Sequence, residues 1–102
     1  MIRKLDFSQA KALLDARPDA VLLDVREEEE YITGHAAGAL LLPLDELNDE
    51  SALDLIPDLD TPVLVYCRSG LRSHAAALRL EGYGYGEVYD LGSLVGWPYG
   101  LE

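Results

Sequence analysis

Short apolar runs set between polar turns and helix-spaced stretches are the dominant pattern of this chain. Val21-Leu22-Leu23, residues 39–42, residues 63–66 and residues 87–91 read as strands, each a brief run bounded by turn residues. The first runs into Asp24-Val25-Arg26. Gly34 and Gly38 interrupt the chain before 39–42, and Pro43 closes that run. Pro62 introduces Val63-Leu64-Val65-Tyr66, the clearest strand of all. Between these runs the spacing turns helical. Ser8 is a candidate cap for a helix with Ala10, Leu13 and Leu14 on its apolar face, ending before Pro18. The acidic run 27–30 suits a first helical turn, where negative charge complements the dipole. Residues 44–48 and 52–56 predict short helical pieces ended by Pro57. Residues 73–81 predict a longer helix, capped by Ser73, with Ala75, Ala76, Leu78 and Leu80 available for packing before Gly82 stops it.

Strands alternating with helices predict an α/β fold, a parallel sheet covered on both faces. No internal repeat or low-complexity segment divides the chain, so residues 1–102 read as one domain. Ligands of such sheets bind beyond the carboxyl ends of the strands. Residues 24–26 and 67–72 both fall at such ends, so two runs of polar residues point to one edge.

Composition narrows the classes. With 49% hydrophobic and 26% charged residues, the chain has the balance of an ordinary globular protein. Its apolar runs fall far short of the roughly 20 residues that cross a bilayer. Met1-Ile2-Arg3-Lys4 gives way at once to Leu5-Asp6, which is not a charged-then-apolar leader, and a cytoplasmic location is expected. A net charge of −11 repels phosphate backbones and anionic lipids, so neither nucleic acid nor membrane is expected as a partner. It favours a basic partner protein. The single cysteine cannot form an internal disulfide, and with two histidines it makes a poor zinc site. That thiol is either packing or chemistry.

Its neighbours favour chemistry. Cys67-Arg68-Ser69-Gly70-Leu71-Arg72 joins the best strand to the following helix. A thiol there meets inward backbone N–H groups, a helix N-terminus and two guanidinium groups, all of which favour thiolate. Gly70 permits the positive φ that anion-cradling loops require, and Ser69 and Ser73 add hydroxyl donors. A cysteine that merely packs has no use for such company.

Here the sequence resembles the rhodanese homology domain. The resemblance rests on Leu-Leu-Asp-Val-Arg at 22–26, Glu-Tyr-Ile-Thr-Gly-His at 30–35 and Gly-Ala-Leu-Leu-Leu-Pro at 38–43. It continues through Val-Leu-Val-Tyr-Cys-Arg-Ser-Gly-Leu-Arg-Ser at 63–73 to Gly92 and Trp97. It implies a five-stranded parallel sheet flanked by helices on both faces. It also implies a sulfur-carrying Cys67 ringed by the backbone amides of Arg68, Ser69, Gly70, Leu71, Arg72 and Ser73. The family includes phosphatases, whose loop encloses five residues between cysteine and arginine. Here Cys67 and Arg72 enclose four, and Ser73 stands at the phosphatase arginine position, so sulfur transfer is favoured over phosphate-ester or arsenate chemistry. The implied reaction has two displacements. Cys67 takes a sulfur from a small anionic donor such as thiosulfate, then yields it to cyanide or a thiol. Arg68 and Arg72 would orient the donor's oxygens, and no cofactor or metal is needed. The alternative is a persulfide carrier relaying sulfur between partner proteins, with little thiosulfate turnover. A family-type final helix after Gly92 has no counterpart in Trp97-Pro98-Tyr99-Gly100, which leaves one side of the sheet without an obvious cover.

The remaining polar residues read as support. Asp24 and Arg26 are expected to form a buried pair propping the loop, because buried charges require partners. Glu30 is expected to join them, while Glu27, Glu28 and Glu29 form a solvated face. His35 reads as a structural histidine and Trp97 as a packing lid. His74 follows the loop on its helix and would add local positive charge if turned toward it.

Overall fold

The computed structural model describes residues 2–102. Five parallel strands form one sheet in the order β1-β5-β4-β2-β3. They are β1 (Ile2–Lys4), β2 (Val21–Asp24), β3 (Leu40–Leu41), β4 (Val63–Cys67) and β5 (Val88–Ser93). The helices are α1 (Phe7–Ala16), α2 (Glu28–Thr33), α3 (Asp49–Leu55) and α4 (Leu71–Gly82), with a 3-10 turn at Leu44–Glu46. The expected α/β architecture is the observed one.

Central β4 is buried along its whole length, and its period of two sorts its side chains between two cores. Val63, Val65 and Cys67 pack with Ala76, Ala77 and Leu80 of α4 and with Ala52 and Ile56. Leu64 and Tyr66 point the other way, against Ala10 of α1 and Leu22. That second face is finished by the chain after β5. Leu94 and Trp97 pack there beside Leu13 and Leu14, and Trp97 stands edge-on to Phe7 (5.2 Å) and Tyr99 (5.1 Å). The last residues return to the sheet edge, where His35 and Glu102 exchange backbone hydrogen bonds of 3.1 and 2.8 Å. A strap and α1 thus cover the side that the sequence left open.

Several local expectations need correction. α1 is capped by Asp6, not Ser8: the Asp6 carboxylate accepts from Gln9 N–H while the Gln9 side chain accepts from Asp6 N–H. Ser8 lies inside the first turn. α4 starts at Leu71, two residues early, because Gly70 (φ +95°) makes the turn that Ser73 was expected to cap. The Ser73 hydroxyl instead donates back to the Gly70 carbonyl at 3.0 Å. The buried face of α4 is Ser73, Ala76, Ala77 and Leu80, at helical spacing; Leu78 is exposed. The run 39–42 supplies only a two-residue edge strand, so Leu40 is partly exposed. β5 extends to Ser93, with a register shift between Val65 and Tyr66 on β4. β1 escaped the pattern altogether, since Ile2-Arg3-Lys4 contains one apolar residue.

Candidate active site

Cys67 closes β4, and its side chain turns toward α4 by the alternation just described. Its sulfur is fully buried at the base of the following loop. The Gly70 N–H donates to Sγ at 2.9 Å and the Ser73 N–H at 3.3 Å. Gly70 achieves this only through its left-handed backbone, which tips the amide inward. From the opposite side the end of β5 fixes the loop's main chain. Leu94 N–H donates to the Cys67 carbonyl at 2.9 Å, and the Ser93 hydroxyl donates to the Arg68 carbonyl.

This cradle decides the state of the thiol. Burial pushes the Cys67 thiol up, but hydrogen bonding from Ser73, Gly70 and Ser69 outweighs it and holds the group below its ordinary value of 9.0. The N-terminus of the twelve-residue α4 adds to the same effect.

Arg68 and Arg72 reach the site in different conditions. Arg72 is clamped by Glu30 of α2 through a two-pronged pair of 2.6 and 3.0 Å. Its guanidinium holds the Glu30 carboxyl down to about 2. Arg68 is exposed, and its guanidinium has no hydrogen-bond or ion-pair partner among the described residues. Ser69 is exposed and Leu71 is 80% exposed.

Asp24 and Arg26 form the expected buried pair. Arg26 Nε lies 3.0 Å from both carboxylate oxygens and Nη2 lies 2.7 Å from Oδ2. Neither side chain of the pair hydrogen-bonds the cysteine loop among the described residues. The pair anchors Tyr66, whose hydroxyl donates to Asp24 at 2.6 Å, and Gly34, whose carbonyl accepts from Arg26 at 2.7 Å. Support therefore reaches Cys67 through its chain neighbour, while Glu30 bears on the loop directly. Tyr66 and Ser93 are partners that sequence reasoning did not name. The signal for Tyr66 was available: a hydroxyl on a buried strand requires a partner. His35 stacks on Tyr31 at 3.6 Å, with Nδ1 2.9 Å from the Tyr31 carbonyl, in the structural role expected. His74 is largely exposed, and its Nδ1 lies 3.7 Å from Asp90. No cluster of three histidine, cysteine or carboxylate side chains suited to a metal occurs among the described residues.

The model of the Rhodanese-like domain matches residues 6–98. The chain belongs to that family. Among curated relatives of this rhodanese-like chain is the thiosulfate sulfurtransferase GlpE of Coxiella burnetii. The two are 36% identical over 91 residues, covering 89% of this chain and 81% of that one. The tRNA uridine(34) hydroxylase of Erwinia tasmaniensis is 34% identical over 90 residues. That match covers 85% of this chain but only 25% of the hydroxylase. Among solved structures, the Alr3790 protein from Anabaena superposes with a TM-score of 0.86 at 26% identity, covering 96% of this chain and 90% of that one. The rhodanese-like fold of the five-stranded sheet is therefore shared along nearly the whole chain.

Proposed function

We propose that this rhodanese-family chain is a sulfurtransferase that carries a sulfane sulfur as a persulfide on Cys67, with residues 1–102 as the working unit. The observation that carries the reading is the pair of backbone N–H groups, from Gly70 and Ser73, aimed at the sulfur of the only cysteine. Such donors stabilise a thiolate, the state in which Cys67 attacks a sulfur donor. The resemblance to GlpE supports thiosulfate as donor.

In the first displacement, the Cys67 thiolate attacks the outer sulfur of thiosulfate. A new S–S bond forms, the thiosulfate S–S bond breaks, and sulfite leaves with the electron pair. In the second, cyanide or a thiolate attacks the outer sulfur of the persulfide and Cys67 departs as thiolate. Every electron pair is accounted for, so the steps need no cofactor and no metal. Arg68, being unpaired, meets the donor's oxygens; Arg72, held by Glu30, keeps positive charge beside the sulfur. Ser69, Leu71 and the rest of the loop shape the opening. A reducing cytoplasmic setting fits a catalytic free thiol. No helix among the described residues is long and apolar enough to cross a membrane, and an acidic surface does not suit nucleic acid.

The test is thiocyanate formation from thiosulfate and cyanide. Turnover is expected to show two-step exchange kinetics and to vanish in Cys67→Ser. Arg72→Ala is expected to retain activity reduced by about 10²–10³. Normal turnover in that variant overturns the role of Arg72.

One observation favours a second reading, a persulfide relay between proteins. Leu71, inside the loop itself, is the most exposed large apolar side chain of the described residues. A stable complex with a persulfide-donating protein, broken by Leu71→Ser and accompanied by poor thiosulfate turnover, decides for the relay.

A further inference from the structure

Acidic side chains are paired unevenly over this molecule. Asp15, Asp19, Asp24, Glu87 and Asp90 each face a basic side chain. Residues 27–67, by contrast, hold eleven of the nineteen carboxylates and no lysine or arginine. Of these eleven, Glu30 alone forms an ion pair with a lysine or arginine among the described residues, and its partner is Arg72. The carboxylates at 27–29, 45–46 and 49–50 are all exposed, at the start of α2, on the 3-10 turn and at the start of α3. The turn stands against the start of α2: Asp45 hydrogen-bonds Glu27 and, through its charge as well, pushes the Glu27 carboxyl up from 4.5. Two carboxylates held together in this way are relieved by an incoming cation.

Helix α4 borders this ridge. Arg72 reaches Glu30 at 2.6 Å, and Arg79 Nη1 donates to the Leu44 carbonyl of the 3-10 turn at 3.1 Å. On its outer side α4 carries Leu71, Ala75 and Leu78, at i, i+4 and i+7, the spacing that sets side chains in one row. Leu71 is 80% and Leu78 52% exposed, with Ala75 partly buried between them. An apolar row with a charged rim has the make-up of a protein contact. A row about 10 Å long on a helix is matched by a second helix packing ridges into grooves, and the small Ala75 permits close approach.

Charge selects the occupant. A second copy of this chain would bring another −11 and the same acidic ridge. Nucleic acid and anionic lipid are repelled for the same reason. A helix with an apolar row and a lysine- or arginine-rich flank satisfies both halves of the surface.

We propose that the outer row of α4 and the acidic ridge beside it dock a basic amphipathic helix of a partner protein. Its apolar row lies on Leu71, Ala75 and Leu78, and its cations lie over Glu27, Asp45 and Glu46. Because Leu71 belongs to the cysteine loop, the docked helix ends at the mouth of the site. The docking surface stands on this geometry and does not depend on sulfur transfer.

The probe is a fluorescein-labelled synthetic peptide of about eighteen residues, made of leucine, alanine and lysine with the leucines in one helical row. A control peptide has the same composition with the leucines scattered. Anisotropy is expected to show saturable binding of the first, at least about tenfold tighter than the second, which is less than the burial of one leucine is worth. Leu78→Ser and Glu46→Lys, both at exposed positions outside the site, are each expected to weaken it at least about fivefold. Asp15→Lys makes the same change in net charge on α1, which packs on the sheet face away from Cys67, and is expected to stay within about twofold of the native protein. Absence of binding, equal affinity for the two peptides, or equal weakening by Glu46→Lys and Asp15→Lys overturns the proposal. Self-association of the native protein in sedimentation equilibrium, lost in Leu78→Ser, also overturns it by assigning the row to a second copy. None of these measurements uses sulfur, so a chain that takes up no sulfur on Cys67 sinks the transfer reading and leaves the docking surface standing.

Discussion

Replacing Glu30 by Gln removes the charge that clamps Arg72 while keeping the size of the side chain. In the folded protein the Glu30 carboxyl is held down to about 2 from 4.5, chiefly by its hydrogen bonds from Arg72. At about 1.4 kcal/mol per pH unit, that difference corresponds to no more than about 3.5 kcal/mol of stabilisation. The two side chains are 28% and 30% exposed, so solvent screening lowers the figure to about 1–2 kcal/mol. Because the folded value lies below the unfolded one, the contribution is complete above about pH 4.5 and is lost as pH falls toward 2. Glu30→Gln is therefore expected to lower Tm at pH 7 by about 5–10 °C. Urea unfolding of both proteins at pH 7, 5, 4 and 3 then tests the cause. The gap between them is expected to narrow below about pH 5, as the Glu30 carboxyl of the unfolded wild-type chain takes up a proton while the folded one stays ionised. A gap that is absent at pH 7, or unchanged at pH 3, refutes the claim that this ion pair secures the loop.

Other consequences follow from the same geometry. The rate of Cys67 alkylation by iodoacetamide should rise with pH around a midpoint below 9.0, the direction set by the hydrogen bonds at its sulfur. Gly70→Ala forces a side chain onto a φ of +95°, although the space around it is open, with Gly92 Cα 3.7 Å from the added carbon. It should cost about 1–2 kcal/mol and, by moving the N–H off the sulfur, shift the alkylation midpoint upward. Tyr66→Phe leaves the buried Ala36 N–H without its partner and removes one donor from Asp24 Oδ2, which Arg26 still bonds, and should lower stability by about 1–3 kcal/mol in urea unfolding at pH 7.

What the sequence made legible follows the strength of its local signals. Residues 63–66 between Pro62 and a polar loop could only be a buried strand, and Cys67 at its end marked the site. The lone cysteine among Arg68, Gly70 and Arg72 marked a candidate site, and the structure brings the Gly70 and Ser73 N–H groups to its sulfur. β1 was hidden because three residues with one apolar position hold no period; pairing with β5 makes it a strand. Capping was misread where two candidates competed: Ser8 and Ser73 both have the right chemistry. Asp6 won through reciprocal bonding with Gln9, and Gly70 through its backbone freedom. That Glu30 holds Arg72 and leaves Arg68 unpaired was out of reach, because Glu30 lies 42 residues from Arg72 in sequence.

The central claim is that Cys67 carries a transferable sulfur, and the most direct test is the intact mass of the protein after exposure to thiosulfate, with Cys67→Ser in parallel. The account predicts a gain of one sulfur atom that disappears on adding cyanide and never forms in the variant. An unchanged mass in the native protein, or the same gain in Cys67→Ser, contradicts it.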